Sequence, residues 1–171
     1  MLLLDEPLSN LDPALRERTR RELREAIGRI GITTVFVTHE QEEAFDLGDR
    51  IAVINQGRLE QVGTPDDLYD APRTEFVARF IGRVSEVPGA AAGGDAARTA
   101  LVRPEALRFV PPAQAAQAAL RGKVTARRFA GGYASFTVTQ GARTLEVFAP
   151  HDAARVGDEV GLDVGRVAFW L

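Results

Sequence analysis

The chain has 171 residues, is 45% apolar and 26% charged, and carries a formal net charge of −3. That balance leaves no basic footprint for nucleic acid, and the lack of cysteine removes disulfides and thiolate metal sites. No apolar run approaches the roughly 18 residues that span a bilayer, and Met1-Leu2-Leu3-Leu4 lacks the basic start and length of a signal peptide. The expectation is a soluble, cytosolic chain of one domain or two small ones.

The first stretch, Met1 to Asp12, is the most informative. The apolar run Leu2-Leu3-Leu4 stops at two adjacent carboxylates, Asp5 and Glu6, and then at Pro7. Proline cannot donate to a sheet ladder, so the pattern predicts a buried parallel strand presenting Asp5 and Glu6 at its C-terminal end. Ligands bind at that edge of open α/β sheets. One carboxylate there can hold a Mg²⁺ that bridges nucleotide phosphates, and the other can take a proton from an attacking water. A solvated acidic turn is the plainer alternative for such a pair.

Asp12-Pro13 reads as N-cap and first helical position. A helix over residues 13–30 follows, with Leu15, Leu23, Ile27 and Ile30 on one stripe, completed by Thr19. The opposite face, from Arg16 through Arg20 to Glu25, reads as solvated charge. Gly31 stands at the C-cap. Residues 32–38 form a second strand, apolar enough to be covered on both sides, which ends on His39. A helix between two such strands implies a right-handed crossover and a parallel sheet. An acidic helix over residues 40–47 comes next, and Gly48 ends it.

Residues 49–54 and 58–62 flank Asn55-Gln56-Gly57 as a hairpin, with Gly57 supplying a positive φ. Thr64-Pro65-Asp66-Asp67 starts a short helix, and a further helix over residues 74–81 ends at Gly82. Pro88 to Gly94 reads as a flexible linker or as a loop in a degraded strand pair. Short strands then alternate with turns at 99–103, 106–110, 120–128, 133–139, 143–149, 158–164 and 166–170, the spacing of a small all-β barrel. Within it, Arg103-Pro104-Glu105 reads as a strand-end turn held by an ion pair, with a regulatory site as the alternative. Arg127, Arg128 and Tyr133 form a weak candidate anion site. Phe169 and Trp170 are expected to close the barrel core.

LLLDEPLSNLD followed by TTVFVTHEQEEAF resembles the Walker B, D-loop and H-loop of ATP-binding cassette (ABC) ATPases. DRIAVINQGRLEQVGTPDDLYDAPRTEFVARFIG resembles the end of that domain in importers of the sulfate, polyamine, iron and maltose type. Val102-Arg103-Pro104-Glu105 resembles the appended transport-associated oligonucleotide/oligosaccharide-binding-like (TOBE) domain. The resemblance implies an α/β partial P-loop ATPase domain over residues 1–82, with parallel strands and crossover helices, followed by a small OB-like β-barrel with a regulatory role over residues 83–171. It further implies that Glu6 is the catalytic carboxylate, His39 the residue that senses the γ-phosphate, Asp5 a Mg²⁺ ligand through water, and Asp12 a residue of the dimer seam.

The chain departs from that family in one respect. It has no Walker A loop, Q-loop or LSGGQ-like signature, and its one lysine, Lys123, lies outside any G-x-x-x-x-G-K-[ST] pattern. The reading is the C-terminal portion of an importer ATP-binding subunit that uses ATP and Mg²⁺ when whole and hydrolyses none alone. Expected partners are ABC permease subunits at the inner face of the cell membrane and a second copy, held across an open sheet edge or by element exchange. Val87-Pro88-Gly89 and NQGRLEQVGTP lean toward the sulfate or thiosulfate branch. The alternatives are a non-catalytic regulatory or dimerisation module and a gene remnant.

Overall fold

Two short strands, with every second residue exposed, open the chain. In the computed structural model, which describes residues 1–171, β1 (Leu2–Asp5) and β2 (Thr34–Val37) pair in parallel, with Leu2 opposite Thr34 and Asp5 opposite Val37. Helix α1 (Pro13–Ile30) connects them. Its start and stop are those the sequence predicts. The Asp12 carboxylate accepts from the Ala14 and Leu15 amides, and Gly31 adopts φ 66° while donating to the Ile27 carbonyl.

The strands are not covered on both sides. Leu3 is 66% exposed, and Val35 and Val37 on the same face are also open. Within this chain the sheet has two strands, and only its other face is half-buried.

The charged face of α1 is also not uniformly solvated. Arg20 is only 9% exposed and holds Glu17, Glu42 and Asp46. The last two lie on α2 (Gln41–Leu47). A guanidinium with five donors can serve several carboxylates at once, so the clamp takes a place that helical periodicity reserves for water. Conversely, Leu15 and Ile30, on the expected apolar stripe, are exposed.

Strands β3 (Ile51–Asn55) and β4 (Arg58–Gly63) form an antiparallel hairpin. Gln56 and Gly57 both take positive φ, 48° and 76°, the type I′ turn that matches strand twist. Helix α3 (Pro65–Asp70) follows, with Thr64 and Asp67 exchanging side-chain-to-amide hydrogen bonds at its start. The break between the two compact units falls after Leu68, ahead of Gly82, where the sequence changes character. Compact packing and domain ancestry need not divide at the same residue.

The second unit, from Tyr69 on, contains α4 (Glu75–Ile81), capped by the Thr74 hydroxyl. It is otherwise β-rich: β5 (Ser85–Pro88), β6 (Thr99–Val102), β7 (Leu107–Phe109), β8 (Leu120–Phe129), β9 (Ala134–Gln140), β10 (Arg143–Ala149), β11 (Glu159–Val164) and β12 (Val167–Trp170). A five-stranded sheet in the order β10-β9-β8-β11-β7 and a three-stranded sheet in the order β12-β6-β5 wrap one core as a nearly closed barrel. Both sheets feed that core, with Val87, Ala100 and Val102 from one and Phe136, Val138 and Leu162 from the other. Trp170 packs against it.

Of the two readings of this stretch, linker or loop in a strand pair, the second holds: it joins β5 to β6, which pair antiparallel, through a packed corner. Pro88 ends β5, Gly89–Ala92 form a 3₁₀ turn, and Gly89 is buried. A Cβ on Gly89 would lie 2.0 Å from the Asp95 carbonyl oxygen, and one on Gly94 would strike the Trp170 ring at 2.3 Å. Small residues occur there because the backbone and an indole approach too closely for anything larger.

Candidate functional site

The parallel register sets β1 and β2 to end at the same level, so the residues just beyond them meet. The Glu6 amide donates to the Val37 carbonyl at 2.8 Å, and the chain turns sharply at once. Glu6 sits at φ 44°, in the left-handed region that non-glycine residues seldom adopt. Ser9 fixes the turn, its hydroxyl and amide both donating to the Glu6 carbonyl at 2.9 and 3.3 Å. Leu8, buried, anchors the loop.

From the other strand, Thr38 builds the turn into α2. Its hydroxyl donates to Glu43 at 2.6 Å and accepts from the Glu40 amide at 3.0 Å. That leaves His39 projecting at 63% side-chain exposure, with Nδ1 3.0 Å from Glu6 Oε1 and Nε2 3.7 Å from Glu40. The hydrogen bond to Glu6, then its negative charge, raises the His39 pKa above the ordinary histidine value, with Glu40 and Glu43 adding smaller contributions.

The four residues singled out in the sequence occupy different settings. Glu6 and His39 form a pair. Asp5 is exposed at the end of β1, opposite Val37. The Asp12 carboxylate is engaged as the α1 N-cap through one oxygen. An exposed carboxylate at the strand end has the hard oxygen chemistry that Mg²⁺ takes, directly or through water. No group of three or more His, Cys, Asp or Glu side chains gathers there to hold the ion. The chain's own residues therefore offer one contact to a metal and no cage for it.

In the sequence, Arg16 is one charge among several on a helix face. Its guanidinium donates to the Leu11 carbonyl at 3.1 Å and more weakly to the Ser9 carbonyl at 3.4 Å, inside the loop that carries Asp12. It also lies 3.6 Å from Glu40 and 3.9 Å from buried Glu43, on the turn that carries His39. One side chain thus ties both loops. Its position one turn after the Asp12 cap is the only sequence cue, and that cue does not separate it from its neighbours on α1.

In the barrel unit, Arg103 does not pair with Glu105. Its Nη1 donates to the Ala78 and Arg83 carbonyls at 2.8 and 3.3 Å, its Nη2 to the Tyr69 carbonyl at 3.1 Å, and its plane lies 4.3 Å from the Tyr69 ring. Glu105 instead accepts from the Tyr69 hydroxyl at 2.6 Å. Burial holds the Arg103 pKa below the usual arginine value, against smaller opposing effects of Tyr69, Glu105 and Asp70. Arg127 donates to the His151 carbonyl, and Tyr133 packs on Phe148. Two of the three residues of the weak candidate anion site thus have partners within the barrel, and Arg128 is exposed.

Residues 100–170 match the TOBE domain family. The chain is 43% identical to the Fe(3+) ions import ATP-binding protein of Streptomyces coelicolor, over 96% of this chain and 50% of that relative. It is 47% identical to the sulfate/thiosulfate import ATP-binding protein of Caulobacter vibrioides, over 61% of this chain and 35% of the relative. For the protein of the same description from Mesorhizobium japonicum the identity is 58%, over 52% and 25%. The chain spans half or less of the length of these curated relatives. No helix is long and apolar enough to cross a membrane.

Proposed function

We propose a role for this chain on the premise that it belongs with the ATP-binding subunits of ABC importers and carries their TOBE domain: it supplies the catalytic carboxylate, the γ-phosphate sensor and the regulatory barrel of such a subunit. The observation that supports this reading is the 3.0 Å contact between Glu6 and His39 at the shared end of two parallel strands. In that geometry Glu6 orients or deprotonates the attacking water, and His39 donates to the γ-phosphate. Asp5 reaches Mg²⁺ through water, and Asp12 stands at the seam between two copies. Residues 1–82 form the ATPase part and 83–171 the barrel part.

Phosphoryl transfer is catalysed almost wholly by positioning and charge stabilisation. A chain without the glycine-rich cradle and its lysine supplies little of either, so the 171 residues alone hydrolyse no ATP. Phosphate release from Mg·ATP is the test. Turnover that vanishes in Glu6→Gln would overturn the inactivity of the chain alone while supporting the role of Glu6. Adding a separate polypeptide with the Walker A and signature motifs should create ATP binding. The relatives' printed names favour sulfate, thiosulfate or Fe³⁺ as the solute class, with polyamines and maltose-type sugars behind. The partners are permease subunits at the inner membrane face and a second copy of the chain.

The second reading is a non-catalytic regulatory or dimerisation module. It draws on the barrel, whose core takes buried side chains from two sheets over residues 87–162, with Val164, Val167 and Trp170 packed against it. Function without any nucleotide would favour it.

A further inference from the structure

We propose that Arg16 is the positioning residue of the strand-end pair: it pins the turn that carries His39 to the loop that carries Asp12, and so keeps the imidazole against Glu6. The contact needs no nucleotide. Its consequence for ATP turnover rests on the roles proposed above for Glu6 and His39.

The His39 ring is 63% exposed, so packing does not fix it. Its neighbours on both sides are fixed instead. The Thr38 hydroxyl donates to Glu43 at 2.6 Å and accepts from the Glu40 amide at 3.0 Å. Glu43 is only 2% exposed, and a carboxylate so buried needs a cation beside it. Arg16 supplies that charge, with Nε 3.9 Å from Glu43 and Nη1 3.6 Å from Glu40. The Arg16 Nε and the facing Glu43 oxygen are both buried and have no hydrogen-bond partner. The attraction between them is electrostatic and, so far from water, weakly screened. The turn on either side of His39 is therefore anchored on one side chain from α1.

The rest of the guanidinium goes to the other loop. Nη2 donates to the Leu11 carbonyl at 3.1 Å and more weakly to the Ser9 carbonyl at 3.4 Å. Ser9 in turn fixes the left-handed turn at Glu6 through its hydroxyl. One planar fork thus reaches both ends of the Glu6–His39 contact. A lysine ammonium carries the same charge but is a single point without that fork.

The experiment is an NMR titration of the His39 ring in the 171-residue chain, without nucleotide. Wild type is compared with Arg16→Gln, Arg16→Lys and, as a control on the same helix, Arg21→Gln. The sign of the shift separates the explanations. Loss of a positive charge alone raises the His39 midpoint, whereas a ring that leaves Glu6 titrates lower, because Glu6 is what holds the midpoint up. Arg16→Gln is expected to lower it. Arg16→Lys, with the charge kept, should lower it by less, and Arg21→Gln should not lower it. Amide exchange at Leu11 and Glu40 should quicken together in Arg16→Gln, on the order of tenfold, with the middle of α1 unchanged. If Arg16→Gln loses its helical circular dichroism, Arg16→Lys carries the same reading. A His39 midpoint that stays or rises in the Arg16 variants, or exchange that quickens in one loop only, overturns the proposal. None of these readouts uses ATP. Absence of turnover in a reconstituted subunit would overturn the roles proposed for Glu6 and His39 and leave the positioning by Arg16 standing.

Discussion

His39 Nδ1 lies 3.0 Å from Glu6 Oε1, although 33 residues separate the two in the chain. The parallel pairing of Asp5 with Val37 brings them together, and the left-handed φ of Glu6 turns its carboxylate across the strand ends. A residue held in such a backbone state marks a place where geometry was kept at some cost to local stability.

The contact has a measurable pH signature. Glu6 favours the charged imidazole, so His39 titrates above the ordinary value of about 6.5. Its folded pKa is raised, so the stabilisation is present at low pH and is lost as pH rises through the folded pKa. Following the His39 ring proton by NMR should show this elevated midpoint. Glu6→Gln should bring the midpoint down. An unchanged His39 midpoint in that variant would show that the two side chains do not meet in solution.

Arg20 is expected to hold α1 to α2. It is nearly buried and contacts Asp46 at 2.7 Å as well as Glu42. Arg20→Met keeps much of the aliphatic stem but removes every charge-assisted contact. The expected loss is about 1–3 kcal/mol, discounted because the partner carboxylates are largely exposed and can rehydrate. Urea unfolding read by circular dichroism, with Arg18→Met as the surface control, gives the comparison. Equal midpoints for the two variants would reduce Arg20 to a solvated helix residue.

These two cases show how far the sequence could be read. Element existence was legible because caps and periodicity are local: Asp12-Pro13 and Gly31 bound α1 at its true ends, and β10 occupies the expected residues 143–149. The resemblance brought Glu6 and His39 into one site, and the structure supplies their contact. What stayed hidden depends on tertiary geometry. Arg16 and Arg20 look like any other charge on a helix until α2 and two loops arrive beside them. Pro88 to Gly94 looks flexible because close packing against backbone and indole leaves the same small residues as disorder does. Glu105 lies two residues from Arg103, yet a tyrosine 36 residues away takes its oxygen.

The corner at Gly89 yields a sharper stability test. A methyl group there would lie 2.0 Å from the Asp95 carbonyl oxygen and 2.8 Å from that of Arg98. Backbone at both contacts cannot swing away as a flexible side chain can. Gly89→Ala should therefore cost at least the roughly 1–3 kcal/mol typical of overpacking. Gly93→Ala, with open space around it but a φ of 74°, should cost less, through backbone strain alone. A thermal melt that ranks the two in the opposite order would show that residues 88–94 are the flexible linker their composition suggests.

Tyr69 reports on the other end of the barrel unit. Its hydroxyl is pushed up to about 12, first by burial and then by its hydrogen bond to Glu105. The folded state favours the neutral phenol, so this stabilisation is present below the usual tyrosine value of about 10 and is lost as pH rises through the folded pKa. Ultraviolet titration should find one tyrosine ionising late. Glu105→Gln should move that midpoint down only part of the way, because burial remains. A midpoint that does not respond would place Glu105 away from the phenol.

The open face of the first strand pair leads to the last prediction. Leu3 and Val35 lie opposite one another in register, and Val37 follows on the same face. All three are substantially exposed. An apolar sheet face beside an unpaired β1 edge offers both burial and ladder hydrogen bonds to an incoming chain. Two copies meeting through this face would bury their apolar side chains and satisfy backbone groups at once, so self-association at micromolar concentration is expected by light scattering. Leu3→Lys places a charge on that face without touching the Glu6–His39 contact, and it should return the chain to a monomer with its helices intact. A wild-type chain that is monomeric would refute self-association, and a Leu3→Lys variant that still associates would move the interface elsewhere.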